Sequence, residues 1–149
     1  MTHTATERPL TTVGALLVGP SERVLLLRSH KWRDTWSVPG GKLDYGETIA
    51  AGLRRECLEE TGLAIDSVHW APTLEAVNSP EFYKPAHFIL LNFIARCHSE
   101  AVTLNDEAQA YSWQVPQEAL ALPLNSFTRA LLDYYLEHGF SGAPLHEAA

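Results

Sequence analysis

Between Gly41 and Leu63 the chain reads GKLDYGETIAAGLRRECLEETGL, a turn-rich entry, one amphipathic helix and a stop. Thr48 to Thr61 lacks proline and carries Ala50, Ala51, Leu53, Arg54, Arg55 and Leu58, all good helix formers. Gly62 stands where a helix is ended by a left-handed residue. At about 100° per residue, Ile49, Ala50, Leu53 and Cys57 form one core-facing stripe, and Glu56, Glu59 and Glu60 fill an adjoining arc. Gly52 lies inside that arc and leaves little bulk against the acidic face.

Left alone, the acidic arc is unfavourable. Glu56 and Glu60 are like charges one turn apart. All three acids sit in the half of the helix where the macrodipole disfavours negative charge. A hard divalent cation such as Mg²⁺ or Mn²⁺ resolves the conflict, because it takes carboxylate oxygens and keeps several waters. The competing reading is a solvated acidic helix face. The loop upstream, Trp36-Ser37-Val38-Pro39-Gly40-Gly41, favours the metal, since its glycines allow close approach of backbone to a phosphate or ion. Arg55 is expected to tie Glu47 or a helix glutamate through a bidentate pair.

The segment resembles the Nudix box, G-x5-E-x7-R-E-U-x-E-E-x-G-U with U aliphatic. Gly41, Glu47, Arg55, Glu56, Glu59, Glu60, Gly62 and Leu63 match. Cys57 departs from the aliphatic preference, which bears on packing and not on chemistry. The box covers 23 of 149 residues. The resemblance implies an α/β fold, the α/β/α sandwich of Nudix domains with a mixed sheet between helices. It implies hydrolysis of a pyrophosphate bond in a nucleoside diphosphate linked to another group. Metal ligands would be Glu56, Glu59 and Glu60 with the backbone at Gly41, and Arg55 would belong to the catalytic set.

A second stretch, Val102 to Leu120, resembles the segment of MutT-like enzymes that carries an extra glutamate before a strand with tryptophan. Glu107, six residues before Trp113, is thereby implied as a further metal ligand or general base. Asp106 competes for the role, and a solvated acidic loop is the plain alternative. The same region, with Leu124 to Arg129, is also similar to bacterial Nudix nucleoside triphosphatases acting on pyrimidine deoxynucleotides. Arg28, His30, Lys31, Trp32 and Arg33 crowd the loop before the glycine turn and are candidates to hold phosphates or stack on a base. His87, with Phe82 and Tyr83, is a similar candidate at another edge. For these the alternative is a solvated basic loop with Trp32 packed inside.

The remainder reads as a single α/β domain over residues 1–149, with 1–8 and 141–149 as loose tails. At 149 residues and 46% hydrophobic composition the chain can bury a sizeable core. Thr12 to Val18 and Arg23 to Arg28 read as a hairpin, Ile65 to Val77 as one strand-like run and His87 to Cys97 as a strand covered on both faces. Ser112 to Val115 reads as a short strand, Pro116 to Leu120 as a short helix and Ser126 to His138 as an amphipathic helix. A net charge of −7 argues against a nucleic-acid or membrane surface. No apolar run reaches the ~20 residues of a membrane span, and residues 1–8 lack a signal peptide's apolar core. Cys57 and Cys97 read as reduced thiols of a cytoplasmic protein.

Three functions compete at this level. A Mg²⁺- or Mn²⁺-dependent nucleotide pyrophosphohydrolase leads, with a nucleoside triphosphate as first substrate and a nucleotide sugar or ADP-ribose as runner-up. A non-catalytic nucleotide-sensing module is second, although the box keeps all its carboxylates. An RNA-processing hydrolase is third and sits poorly with the acidic charge. A homodimer is left open by the resemblance, since many relatives dimerise.

Overall fold

Apolar residues alternate along the strands of this chain so that one sheet presents two buried faces. The structure is a computed structural model and describes residues 7–147. In chain order it contains β1 (Leu10–Val18), β2 (Val24–Ser29), a single 3₁₀ turn (His30–Trp32), β3 (Thr35–Ser37), β4 (Gly40–Lys42), α1 (Ile49–Thr61), β5 (Ile65–Trp70), β6 (Leu74–Val77), β7 (His87–Cys97), β8 (Ala110–Gln114), α2 (Pro116–Ala119) and α3 (Ser126–His138).

The centre of the sheet is a parallel pair, β1 with β7, in register from Leu10 opposite Phe88 to Val18 opposite Arg96. The other pairings are antiparallel, so the sheet is mixed. Val13, Ala15 and Leu17 of β1, with Phe93, Ala95 and Cys97 of β7, pack on Leu53 and Cys57 of α1. The intervening Leu16, Val18 and Ile94 pack on Leu131 and Leu132 of α3. Period-two strands between two amphipathic helices therefore give the α/β/α sandwich.

One irregularity in the sheet creates the site. β1 and β2 pair at Val18 and Val24 and then part. The segment from β3 to β4 enters the gap, with β3 pairing β2 and β4 pairing β1. Such close insertion needs glycine: a Cβ on Gly40 would meet the Val13 carbonyl and lie 2.7 Å from Gly14 Cα. The Gly40–Gly41 backbone is thus wedged into the sheet, directly before α1.

Several boundaries differ from the sequence reading. The run from Ile65 to Val77 is two strands, both paired with β7 and parted over residues 71–73, where Pro72 cannot donate to a ladder. Residues 141–147 are not a loose tail. Trp70 N–H donates to the Ala143 carbonyl (2.8 Å), Leu145 N–H donates to the Val68 carbonyl (2.8 Å), and Arg54 pairs with Glu147 (2.7 and 2.9 Å). The segment covers the free edge of β5, a pairing invisible to local propensity. The remainder of the expected tails, 1–6 and 148–149, lies outside the described residues. Gly52 also differs: it does not open the acidic face but is buried, and a Cβ there would press within 2.5 Å of Leu43 Cδ1 and 2.9 Å of Glu47 Oε1.

Candidate active site

Helix α1 starts where its sequence says it should. Thr48 is the N-cap, its side chain accepting from Ala51 N–H (3.1 Å). Gly62, at φ 73°, closes the other end and donates its N–H to the Leu58 carbonyl. With its core stripe fixed against β1 and β7, the helix turns Glu56 and Glu60 toward the wedged glycines. Gly40 N–H donates to Glu60 Oε2 at 2.7 Å. A Cβ on Gly41 would lie 2.5 Å from Glu56 Oε2, so that carboxylate rests against the Gly41 backbone.

These two acids are out of place as free carboxylates. Glu60 is only 8% exposed. Burial pushes it up to about 8, against the Gly40 hydrogen bond, with Glu56 and Glu107 repelling the charge further. Burial also raises Glu56, opposed by Arg55.

Arg55 is the hub of the outer rim. It grips Glu47 with Nε to Oε2 at 2.6 Å and a second nitrogen to Oε1 at 2.9 Å. The same guanidinium reaches Glu56 (2.9 Å), Glu59 (3.3 Å) and the Lys42 carbonyl (3.2 Å). The Arg55 hydrogen bonds and the Asp44 N–H hold Glu47 down at about 2. Arg55 therefore ties the loop before the helix to the helix acids, with one hydrogen bond to Glu56.

Glu107 comes to the same place from the loop before β8. It lines one cavity with Glu56 and Glu60, and accepts from Lys31 Nζ at 2.6 Å; that pair raises Lys31. Asp106 does not line this cavity, and neither does Glu59, whose half-exposed carboxylate faces Arg55. Among the described residues no three His, Cys, Asp or Glu side chains converge tightly enough to hold an ion by themselves. A hard cation fits the donor set nonetheless. Mg²⁺ ordinarily uses one or two carboxylates and completes its shell with water and substrate phosphates. Glu56 and Glu60 are two such carboxylates: Glu60 is buried and held by the Gly40 N–H, and Glu56 is partly buried with Arg55 on one side.

The cavity has a volume of about 410 Å³. Its acidic mouth leads to an apolar end beneath α3, where Trp32, Phe82, Phe88 and Phe127 meet. Trp32 lies 4.8, 6.3 and 5.9 Å from the other three rings, centroid to centroid. Of the basic and aromatic candidates, Lys31, Trp32 and Phe82 line the cavity, and Arg28, His30, Arg33, Tyr83 and His87 do not. Arg28 alternates to the far face of β2 and lies over the Trp36 ring (5.9 Å). Arg33 donates to the Pro80 carbonyl (2.7 Å) and pins the β6–β7 loop. His87 pairs with Val77 in the sheet. His30 is exposed and bonded to Asp34. Sequence reasoning did not select Asn92, Asn125, Phe127 and Thr128, all of which line the cavity. A signal existed for Asn92, the one polar residue in the apolar stretch from Phe88 to Ala95.

Comparison with known proteins agrees with this architecture. The NUDIX domain family profile matches residues 8–135. A MutT-like protein of Streptomyces ambofaciens is 29% identical over 133 residues, covering 87% of this chain and 80% of the relative. The human 8-oxo-dGDP phosphatase NUDT18 is 32% identical over 117 residues, covering 75% of this chain but 34% of the relative, so the chain spans about a third of that protein. Among solved structures, a NUDIX hydrolase from Nitrosomonas europaea superposes with a TM-score of 0.76 at 18% identity, over 95% of this chain and 98% of that one. With a matching profile across most of its length and this fold, the chain belongs to the Nudix hydrolase family.

Proposed function

We propose that this protein hydrolyses a pyrophosphate bond in a nucleoside diphosphate linked to a further group, with a nucleoside triphosphate as its leading substrate. The observation that carries the reading is the pair Glu56 and Glu60, packed against Gly40 and Gly41 at the mouth of a cavity with an aromatic far end. Relatives with partial matches bear names of the same chemistry, including nucleoside triphosphatase NudI of Salmonella paratyphi B and NUDT18.

Each residue has a definable task in such a reaction. Glu56 and Glu60 would hold Mg²⁺ or Mn²⁺ with the Gly41 backbone beside them. When bound, the ion polarises phosphoryl oxygens and lowers the pKa of a coordinated water. Glu107 stands at the cavity mouth and can take the proton of an attacking water or add a ligand. Arg55 orients Glu56. Lys31 gives the cavity wall an ammonium that can meet a phosphate oxygen. Glu59, off the cavity and facing Arg55, is left as an outer support. The aromatic end excludes water and suits a base. The two free, buried cysteines suit a reducing, cytoplasmic setting.

A substrate panel tests the reading. Nucleoside triphosphates, nucleotide sugars and ADP-ribose are incubated with Mg²⁺, and pyrophosphate release is scored against orthophosphate. Turnover of a triphosphate that stops with chelator and returns with Mg²⁺ or Mn²⁺ is expected. Full activity after exhaustive chelation, or no turnover of any phosphoanhydride, would refute it. Reaction in ¹⁸O-water then identifies the phosphorus attacked.

A further inference from the structure

Asn92 is a polar residue where the strand pattern asks for an aliphatic one. It lies mid-way along β7, beside Gly14 of β1, and is 7% exposed. An amide buried without hydrogen bonds costs roughly 1–3 kcal/mol. Half of that cost is met inside the protein, since Nδ2 donates to the Pro72 carbonyl at 3.2 Å. Pro72 sits in the break between β5 and β6, which brings its carbonyl within reach. This bond also fixes which way the amide points, because the flipped group would set oxygen against oxygen.

The other half is unmet. Asn92 Oδ1 has no hydrogen-bond partner among the described residues. It is not sealed in the core either: among the described residues the one fully enclosed side-chain nitrogen or oxygen without a partner is Asp66 Oδ1. Asn92 lines the 410 Å³ cavity, so the oxygen meets that space. Other polar side chains of the lining are already engaged: Ser37 Oγ donates to the Leu27 carbonyl (3.4 Å), Ser29 Oγ accepts from Lys31 N–H (3.2 Å), and Asn125 Oδ1 accepts from Thr128 N–H (2.8 Å). A neutral acceptor, held rigidly by the sheet in a cavity whose lining also carries Trp32, Phe82, Phe88 and Phe127, suits a flat heteroaromatic ring carrying an N–H. It does not suit phosphate, which has no proton to give.

We propose that Asn92 is a specificity-determining residue whose Oδ1 accepts a hydrogen bond from an N–H on the base edge of the bound nucleotide. The inference rests on the nucleotide pyrophosphohydrolase reading and adds to it the end of the substrate that is read and the atom that reads it. A base whose N–H is blocked leaves the acceptor unpaired in a dry cavity, and sites of this type reject such analogues strongly.

The test pairs a substitution with matched substrates. Asn92→Leu keeps the branched shape of the side chain and removes the acceptor. For the best-used base, kcat/KM is measured for the parent triphosphate and for its counterpart methylated at the base N–H: N3-methylthymidine, N1-methylguanosine, N4,N4-dimethylcytidine or N6,N6-dimethyladenosine triphosphate. Ribose 5-triphosphate, which has no base, serves as control. The wild-type protein should prefer the parent by at least about tenfold. Asn92→Leu should bring that ratio within about threefold of unity and leave ribose 5-triphosphate turnover within about threefold of wild type. Asn92→Ala, read by the same ratio, covers the case in which the leucine variant does not fold. Retained discrimination in the variant overturns the proposal. So does an equal loss on nucleotide and base-free substrate, or a change confined to the choice between ribose and deoxyribose. If the wild type hydrolyses none of these compounds, the nucleoside triphosphate reading fails. Calorimetric binding of the parent and methylated nucleoside monophosphates then decides the role of Asn92 by itself.

Discussion

The two glycines at the wedge should respond to the same substitution in opposite ways. In Gly40→Ala the new Cβ would fall against the Val13 carbonyl and 2.7 Å from Gly14 Cα, both backbone atoms of the central strand β1. Neither can rotate aside, so β4 must withdraw from the sheet. Overpacking of this kind costs about 1–3 kcal/mol, and the backbone target puts this case near the top. For a chain of this length each kcal/mol is worth about 2–4 °C, giving a fall in Tm of about 6–12 °C. In Gly41→Ala the three atoms nearest the Cβ are those of the Glu56 carboxylate, at 2.5 to 2.7 Å. That group is the end of a flexible side chain and can swing away, so Tm in chelator should move by no more than about 2 °C. The displaced carboxylate is one of the two expected ion ligands, and a displacement of about 1 Å can cost about a hundredfold in rate. Differential scanning fluorimetry with EDTA gives the Tm values, Mn²⁺ binding by electron paramagnetic resonance gives the ion affinity, and phosphate release gives turnover. An unchanged Tm for Gly40→Ala, or wild-type Mn²⁺ affinity and turnover for Gly41→Ala, would refute this account of the wedge.

Glu60 offers a pH test. Its folded value of about 8 lies above its ordinary 4.5, so its protonated form stabilises the metal-free protein below about pH 4.5, and that contribution is lost as pH rises toward 8. Glu60→Gln should flatten this decline in chelator between about pH 5 and 8 while cutting kcat at least about a hundredfold; an unaltered pH–Tm curve would show the group is not buried as described. Cys57 is fully buried and its thiol is pushed up by burial, so Cys57→Val should cost under about 1.5 kcal/mol and leave turnover intact; lost kcat at unchanged Tm would reveal chemistry at the thiol. Glu107→Gln should lower kcat with little change in KM and shift the acidic limb of the kcat/KM profile, and Asp106→Asn, off the cavity, should do much less; the reverse ranking would move the role to Asp106.

Legibility in the sequence followed the range of the interactions concerned. Helix α1, its cap residues and the Arg55–Glu47 tie are set by neighbours within a few turns, and their spacing announced them. The offset from Trp113 singles out Glu107 by resemblance, and its loop reaches the cavity. Charge and aromatic neighbours single out Arg28, Arg33 and His87 as candidates to hold phosphates or stack on a base. The sheet sends them elsewhere, since alternation along β2 turns Arg28 outward and the β6–β7 loop takes up Arg33. Lining residues such as Asn125 and Phe127 reach the cavity only once α3 packs over β1 and β7. No local pattern records that step.

The segment laid along β5 matters for anyone shortening this chain. The family profile ends at residue 135, inside α3, which runs to His138. A boundary set there would remove the last turn of that helix together with the hydrogen bonds that Ala143 and Leu145 make to Trp70 and Val68. The outer strand would then present a row of open amide and carbonyl groups, a template for pairing with other molecules. A protein trimmed to the recognisable family region would thus be a candidate for insolubility with α1 untouched in sequence.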